Sequence, residues 1–275
     1  MDAGGNCADD SHGSHAKSRR HRRRRGDNRS ILVKFIVFLY GIVSYALGVA
    51  SLIYLIGFLG NMVVPRTIDA APVGPIAPAV LIDLVLVALF AFQHSLMARP
   101  AFKERWTRIV PKPAERSTYV LVTAGVLALL FWQWQPIAGV VWSVDGAVGS
   151  GLLQGLFWLG WVILLASTFM INHFDLFGLR QVWLRLKDEP YRPVPFVEVA
   201  LYRFVRHPIM LGILIGIWAT PRMSMGHLLF AVATTVYIFI GIFLEERDTR
   251  RALGESYERY RRETSLIVPL PRGKA

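Results

Sequence analysis

Residues 81–100 read LIDLVLVALFAFQHSLMARP, an apolar run that ends in polar and then basic residues. A helix needs about 20 mainly apolar residues to cross the hydrocarbon core of a bilayer. The run meets that length, with Asp83 as its one acidic residue and with Gln93 and His94 near its basic end. The stretch therefore predicts a membrane-spanning helix that carries polar side chains at one membrane boundary.

Comparable runs recur along the 275-residue chain, in which 53% of the residues are apolar and 18% are charged. Soluble domains carry about 25% charged residues, so this composition favours an integral membrane protein. We predict an all-α fold, a polytopic transmembrane helical bundle of five to six membrane helices in which the last two are short and form a hairpin. The predicted spans are 32–60, 77–97, 118–135, 151–171, 205–220 and 227–244.

The net charge of +12 is concentrated in a few segments. Basic residues crowd the first thirty positions, the loops 98–117 and 172–204, and the segment after residue 245, whereas the other connections contain very few. Basic residues favour the cytoplasmic side of a membrane. We therefore predict a multi-pass membrane protein with both termini in the cytoplasm. Two cytoplasmic termini require an even number of crossings: six, or four with a re-entrant hairpin.

The first thirty residues are polar and then arginine-rich, and we predict a disordered, basic cytoplasmic tail over 1–30. The membrane domain is then 31–275, with its C-terminal, ligand-binding half at about 172–270. The run RRHRRRR at 19–25 suits either a nucleic acid or anionic lipid, and its place beside the first span favours lipid. We thus expect the lipid bilayer as a partner, but no nucleic acid and no obligate protein partner. The single cysteine, Cys7, excludes an intramolecular disulfide, and no metal site is expected.

Polar groups at the ends of apolar spans are informative, because placing them at a membrane is costly unless they have a function or a partner. Four of the predicted spans begin or end in such groups on the predicted cytoplasmic side. Together they would bring histidines, carboxylates and arginines to one face of the bundle: His94; His173 and Asp175; Arg206 and His207; Glu245 and Glu246.

The fifth span begins at Arg206-His207-Pro208, and proline suits the first turn of a helix because it lacks an N–H. A helix start with free N–H groups and adjacent arginines is an anion site. Glu245 and Glu246 end the returning helix, so the hairpin offers a cationic start and an anionic finish. A zwitterionic ligand such as S-adenosylmethionine would match both. Taken singly, each motif also fits a purely structural helix end.

The combination of these motifs resembles the integral-membrane methyltransferases of the isoprenylcysteine carboxyl methyltransferase and phospholipid methyltransferase type. Their cofactor half reads RHPxYxG, then an apolar hairpin, then EE, then a G-x-x-Y-x-x-Y tail. Met210 stands here where tyrosine is frequent. Three upstream segments are more specific and resemble the nurim-related family: FQHSLMARPAFKERW (92–106), PAERSTYVL (113–121) and INHFDLFGLRQVWL (171–184).

This resemblance implies an enzyme, a thiol S-methyltransferase that uses S-adenosyl-L-methionine to convert methanethiol to dimethyl sulfide. For the thiol proton, we expect His173 to be the first candidate base, with Asp175 near enough to influence it, and His94 the second. A histidine pKa near 6.5 suits this task, although the thiol can also ionise in water without any base. The expected cofactor-binding residues are Arg206, His207, Gly212, Glu245 and Glu246, with Tyr257 and Tyr260 covering the adenosine.

Two other functions remain open at the level of the sequence. The acceptor can instead be a prenyl-cysteine or a phospholipid, which would require a lateral opening for a long chain. Alternatively, the chain is a non-enzymatic structural membrane protein like nurim itself, although retention of both RHP and EE argues against loss of the cofactor site.

Overall fold

The computed structural model describes residues 11–71, 74–195 and 198–269, and these form helices joined by short connections. The strands β1 (Val140–Ser143) and β2 (Arg222–Ser224) pair in an antiparallel ribbon, and Ala200–Arg203 forms a 3-10 turn. The helices, in chain order, are α1 (Ser11–Gly60), α2 (Ile76–Ala98), α3 (Pro100–Trp106), α4 (Lys112–Gln133), α5 (Ala147–Ile171), α6 (His173–Leu176), α7 (Leu179–Leu186), α8 (Pro208–Trp218), α9 (Met225–Leu253) and α10 (Glu255–Glu263).

Five helices are long and apolar enough to cross a membrane: the Ser30–Gly60 part of α1, and α2, α4, α5 and α9. The prediction of an all-α, polytopic membrane bundle is confirmed. The last predicted span was too short, however, because α9 continues for 29 residues in all. Its charged continuation EERDTRR is composed largely of good helix formers. The helix ends only at Gly254, whose φ of +58° favours glycine.

The N-terminal segment also differs from the prediction. Residues 1–10 of the predicted disordered tail lie outside the described residues, but α1 begins at Ser11, so the backbone of 11–29 is helical. Arginine and lysine are good helix formers, and extending an existing helix is much easier than nucleating a new one. The apolar part of α1 therefore supports a helical continuation into the basic segment.

The basic loops meet at one end of the bundle, which we call the basic end. Ion pairs there join the start of the apolar part of α1 to the connection after α7, and the end of α2 to the end of α9. The start of α4 is tied to α6 by a hydrogen bond. These contacts are Lys34–Asp188 at 2.5 Å, Arg99–Asp248 at 2.7 Å, and Arg116 Nε donating to the Leu176 carbonyl at 2.7 Å.

The opposite end carries the β1–β2 ribbon, and α8 connects the two ends. His207, which precedes α8, lies beside Glu246 at the basic end, whereas β2, which follows α8, pairs with β1 at the opposite end. Although α8 has only 11 residues, the segment around it therefore passes from one end of the bundle to the other. Together with the five long helices, this makes six passages between the two ends among the described residues.

The short helix α8 is held against α5 by glycines. A Cβ atom added to Gly212 would lie 2.5 Å from the Gly160 carbonyl oxygen, and one added to Gly160 would lie 2.6 Å from the Gly216 nitrogen. Small residues allow membrane helices to approach this closely and to pack through their backbones. This contact fixes the height and rotation of α8, and with them the position of His207 at its start.

Candidate active site

A cavity of about 1500 Å³ extends from the basic end into the bundle. Side chains of α1, α2, α4, α5, α8 and α9 line it, and α10 contributes to its mouth. The lining is polar at the basic end and apolar further in. Pockets that bury a drug-sized ligand measure about 300–1000 Å³, so this cavity has room for a ligand of that size and a second molecule.

The two motifs predicted to lie close together do meet at this mouth. The Arg206 Nε donates to Glu246 Oε1 at 2.6 Å, and Arg206 Nη1 donates to the backbone carbonyls of Arg261 at 2.9 Å and Thr264 at 2.6 Å. Arg206 and Glu246 are both about nine-tenths buried. A buried ion pair of this kind is strongly destabilised when either partner is removed. The main partner of Arg206 is therefore Glu246, and each stabilises the other. Within the described residues, no hydrogen bond uses Arg206 Nη2.

The second glutamate has a different environment. The Glu245 side chain is 58% exposed and lines the cavity, while Glu246 is absent from the described residues that line it. His207 lies between the two carboxylates, with Nε2 at 3.3 Å from Glu246 Oε1 and Nδ1 at 3.8 Å from Glu245 Oε2. Glu246 thus anchors the start of α8, and Glu245 presents its carboxylate to the cavity.

The C-terminal segment closes this corner of the cavity. The backbone N–H groups of Arg206 and His207 donate to the carbonyls of Ser265 and Leu266, at 2.8 and 3.2 Å. Tyr257, which is buried, donates to Glu246 Oε1 at 3.4 Å. Residues beyond α10 are therefore tied to the start of α8, and α10 lies against the Glu246 carboxylate.

Both tail tyrosines predicted to cover a ligand line the cavity. Tyr260 donates to the Tyr202 carbonyl at 2.5 Å. Burial, reinforced by nearby carboxylates, raises the pKa of Tyr257 and raises that of Tyr260 to about 12. Both phenols therefore remain protonated donors at neutral pH.

Sequence reasoning missed three further tyrosines around Glu245. Its carboxylate interacts electrostatically with Tyr119, Tyr202 and Tyr237, all of which line the cavity. They come from α4, the 3-10 turn and α9, so no local motif groups them. With Tyr257, they line the same cavity as this exposed carboxylate. Carboxylates and aromatic faces are the groups that attract a compact cation.

Gly212 was expected to contact the cofactor, but it is absent from the described residues that line the cavity. It faces the backbone of α5, where its added Cβ would also lie 2.7 Å from the Leu164 nitrogen. Its observed role is to allow α8 to pack, which supports the site indirectly.

His173 is buried at the corner between α5 and α6, and it too is absent from the described residues that line the cavity. Its Nε2 lies 3.0 Å from the Tyr45 hydroxyl and its Nδ1 lies 2.9 Å from the Thr168 hydroxyl. The ring stacks on Phe169 with centroids 4.3 Å apart. Burial lowers the pKa of His173, which favours the neutral ring. Both nitrogens are therefore engaged in packing this corner.

Asp175 lines the cavity mouth but is oriented by other groups. Its carboxylate accepts from Arg180 Nη1 at 2.8 Å and from the Tyr191 hydroxyl at 3.2 Å. Asn172 caps the short helix α6 by accepting from the Asp175 N–H at 3.0 Å. Within the part of the chain that the structure describes, no hydrogen bond joins the Asp175 carboxylate to the His173 ring.

His94 lines the cavity, where the polar mouth gives way to the apolar interior. The Tyr119 hydroxyl lies 2.7 Å from its Nε2, and Phe90 stacks on the ring with centroids 5.2 Å apart. The Arg116 guanidinium lies over the Tyr119 ring, 4.9 Å from its centroid. Of the two histidines expected to act as a base, His94 is the one that a ligand in the cavity can reach.

Comparisons with known proteins identify the family and the relatives of this chain. Residues 82–259 match the family model described as NnrU protein. A methanethiol S-methyltransferase of Mycobacterium tuberculosis is 51% identical over 238 residues, covering 86% of this chain and 98% of the relative. One from Crocosphaera subtropica is 47% identical, covering 88% and 95%.

The expected likeness to nurim is also confirmed. Nurim of Danio rerio is 30% identical over 190 residues, covering 64% of this chain and 66% of the relative. No solved structure matches the chain significantly. The matched family region contains His94, the start of α8 and both glutamates at the end of α9.

Proposed function

The chain belongs to the NnrU protein family, and from this premise we propose that it transfers a methyl group from S-adenosylmethionine to methanethiol, giving dimethyl sulfide and S-adenosylhomocysteine. The observation that carries the proposal is the meeting of the RHP and EE motifs at the polar mouth of one cavity, with Arg206 Nε 2.6 Å from Glu246 Oε1. The identity of about half to methanethiol S-methyltransferases, over nearly their whole length, supports the choice of acceptor.

The residues at the mouth fit the chemical groups of such a donor. Its sulfonium is a compact cation, suited to Glu245 and to the tyrosine rings that line the same cavity. Its carboxylate suits Arg206, which lines the cavity and whose Nη2 makes no hydrogen bond to the described residues. Tyr257 and Tyr260, as protonated phenols, suit the ribose and adenine at the rim. The donor supplies an activated methyl group, and these residues bind and orient it.

For the acceptor, we propose a position beside the His94–Tyr119 pair. The thiol sulfur forms a bond to the methyl carbon, the bond between that carbon and the donor sulfur breaks, and its electron pair stays on the donor sulfur. The thiol proton passes to His94, whose ring the Tyr119 hydroxyl holds at 2.7 Å. A thiolate is a far better nucleophile than a thiol, so removing this proton assists the transfer. The geometry supports His94 for this step over His173, because His94 lines the cavity and His173 is not among the described residues that line it.

We also propose that the basic end faces the cytoplasm and both termini lie there, so that the reaction occurs at the cytoplasmic side of a bacterial inner membrane. The concentration of basic residues at that end supports this orientation. A protease or a membrane-impermeant label applied from either side of oriented vesicles would test it at the C-terminal segment.

Methyl transfer from labelled donor provides the test of function. Membranes containing the protein are incubated with methyl-labelled S-adenosylmethionine and methanethiol, and volatile label is collected from the headspace. Labelled dimethyl sulfide is expected with the wild type and with Glu255→Gln, an exposed glutamate of α10, and a strong reduction is expected with Glu245→Gln. Label in the lipid extract instead would indicate a prenyl-cysteine or phospholipid acceptor. If no methyl transfer is detected, with or without methanethiol, a non-enzymatic structural role is favoured instead.

A further inference from the structure

The inner part of the cavity is much larger than methanethiol needs. It lies deeper than the His94–Tyr119 pair and is lined by aliphatic and aromatic side chains, among them Leu55, Val87, Leu127 and Phe230. Along α4, the lining continues from Tyr119 to Leu130, which at 1.5 Å per residue is about 16 Å.

This depth is not explained by the donor. The groups suited to a zwitterionic donor, Glu245, Arg206 and the tail tyrosines, all lie at the basic end. A charged donor would gain nothing from an aliphatic surface, since burying charge in an apolar region is costly. Methanethiol has a single carbon and fills only the region beside His94. The remaining apolar space therefore suits a second, larger apolar group that is continuous with the reacting thiol.

We propose that the inner part of the cavity is an alkyl-chain subsite, and that this chain methylates alkyl thiols longer than methanethiol. This inference rests on the proposed function. The thiol sulfur lies at the His94–Tyr119 pair, as for methanethiol, and the alkyl chain extends toward Leu127 and Phe230. The bond changes are the same for every member of the series: the thiol sulfur gains the methyl group, the donor sulfur keeps the electron pair, and the proton passes to His94.

Chain length is the variable that tests the subsite. Burying one CH₂ group strengthens binding by up to about fourfold. For purified protein in one detergent, kcat/KM is therefore expected to rise, or at least not to fall, from methanethiol through propanethiol to hexanethiol. The products are the corresponding methyl sulfides, which gas chromatography separates.

A matched pair of variants on α4 separates the subsite from effects of detergent partitioning. Leu127 lines the cavity, while Leu129 is exposed on the outer surface and is not among the described residues that line it. In Leu127→Phe, the ratio of kcat/KM for hexanethiol to that for methanethiol is expected to fall at least tenfold. In Leu129→Phe, the same ratio is expected to stay within twofold of the wild-type value.

The outcomes distinguish this inference from the proposed function. If the wild type methylates methanethiol and kcat/KM falls from methanethiol to hexanethiol, the alkyl subsite is wrong and the proposed function stands. If neither thiol is methylated, both are wrong. An equal fall of the ratio in Leu127→Phe and Leu129→Phe would also overturn the subsite, because only Leu127 lines it.

Discussion

The two adjacent glutamates at the end of α9 should have separable roles, and exchanging each for glutamine tests this. Glu246→Gln removes the charge that faces buried Arg206 at 2.6 Å and the Arg261 Nε at 3.2 Å. Removing one partner of a buried ion pair costs about 3–5 kcal/mol, and the lower figure applies because the amide oxygen still accepts a hydrogen bond. At about 2–4 °C per kcal/mol, the thermal midpoint should fall by about 6–12 °C.

Glu245→Gln should weaken binding of the donor and leave the stability of the protein nearly unchanged. Its side chain is 58% exposed, so the thermal midpoint should change little. An interaction with a charged ligand contributes about 1.5–3 kcal/mol, which corresponds to a roughly 10- to 150-fold rise in Kd for S-adenosylmethionine.

Calorimetric titration and thermal melts of detergent-purified wild type, the two variants and Glu255→Gln would measure both quantities. Glu255, at the exposed start of α10, controls for the loss of one negative charge. Unchanged donor affinity in Glu245→Gln would refute the assignment of this carboxylate to the ligand. An unchanged melting temperature in Glu246→Gln would refute the structural role of the buried pair.

Three further predictions follow from the same geometry. Gly212→Ala should lower the thermal midpoint, since overpacking costs about 1–3 kcal/mol. Gly155→Ala should leave the midpoint unchanged, because its new Cβ meets nothing within 4 Å. Equal effects of the two substitutions would contradict the packing role of Gly212. Burial lowers the pKa of His173 in the folded protein below its value of about 6.5 in the unfolded chain. Below about pH 6.5 the unfolded chain therefore binds a proton at this position more readily than the folded protein does, so the free energy of unfolding decreases as the pH falls. The midpoint should therefore drop less between pH 7.5 and 5.5 in His173→Gln than in the wild type, and equal drops would disprove the assignment. His94→Ala should lower kcat by roughly 10²- to 10⁴-fold with unchanged donor affinity, while His173→Ala lowers it less than tenfold; the reverse order would restore His173 as the base.

Much of the fold could be read from local patterns. The apolar runs indicated the membrane helices, since length and hydropathy are properties of a continuous segment. Their ends were less certain: α9 runs seven residues beyond Glu246, because helix propensity outside the membrane is not bounded by hydropathy. The sequence predicted that α8 is short. That the segment around α8 connects the two ends of the bundle became clear only from the pairing of β2 with β1 at the opposite end.

The candidate site was predicted in part. The RHP and EE motifs were expected to meet because they flank one helical hairpin, and Arg206 and Glu246 do meet. The sequence did not distinguish Glu245 from Glu246, since adjacent residues on a helix point about 100° apart and only the packing of α9 decides which one faces Arg206. Both histidines lie at a predicted membrane boundary and the sequence ranked His173 first, whereas His94 is the one that lines the cavity.

The amino-acid sequence by itself determined which segments cross the membrane, which end of the bundle is basic, and that two oppositely charged helix ends lie in one hairpin. These follow from hydropathy, charge and connectivity, which act along the chain. Only the tertiary structure decided which side chains share the cavity: Glu245 with tyrosines from separate helices, His94 with Tyr119, and His173 turned into the α5–α6 corner. Those contacts depend on the rotation and close approach of helices, such as α8 on the glycines of α5, and distances between helices are set by packing rather than by any local pattern.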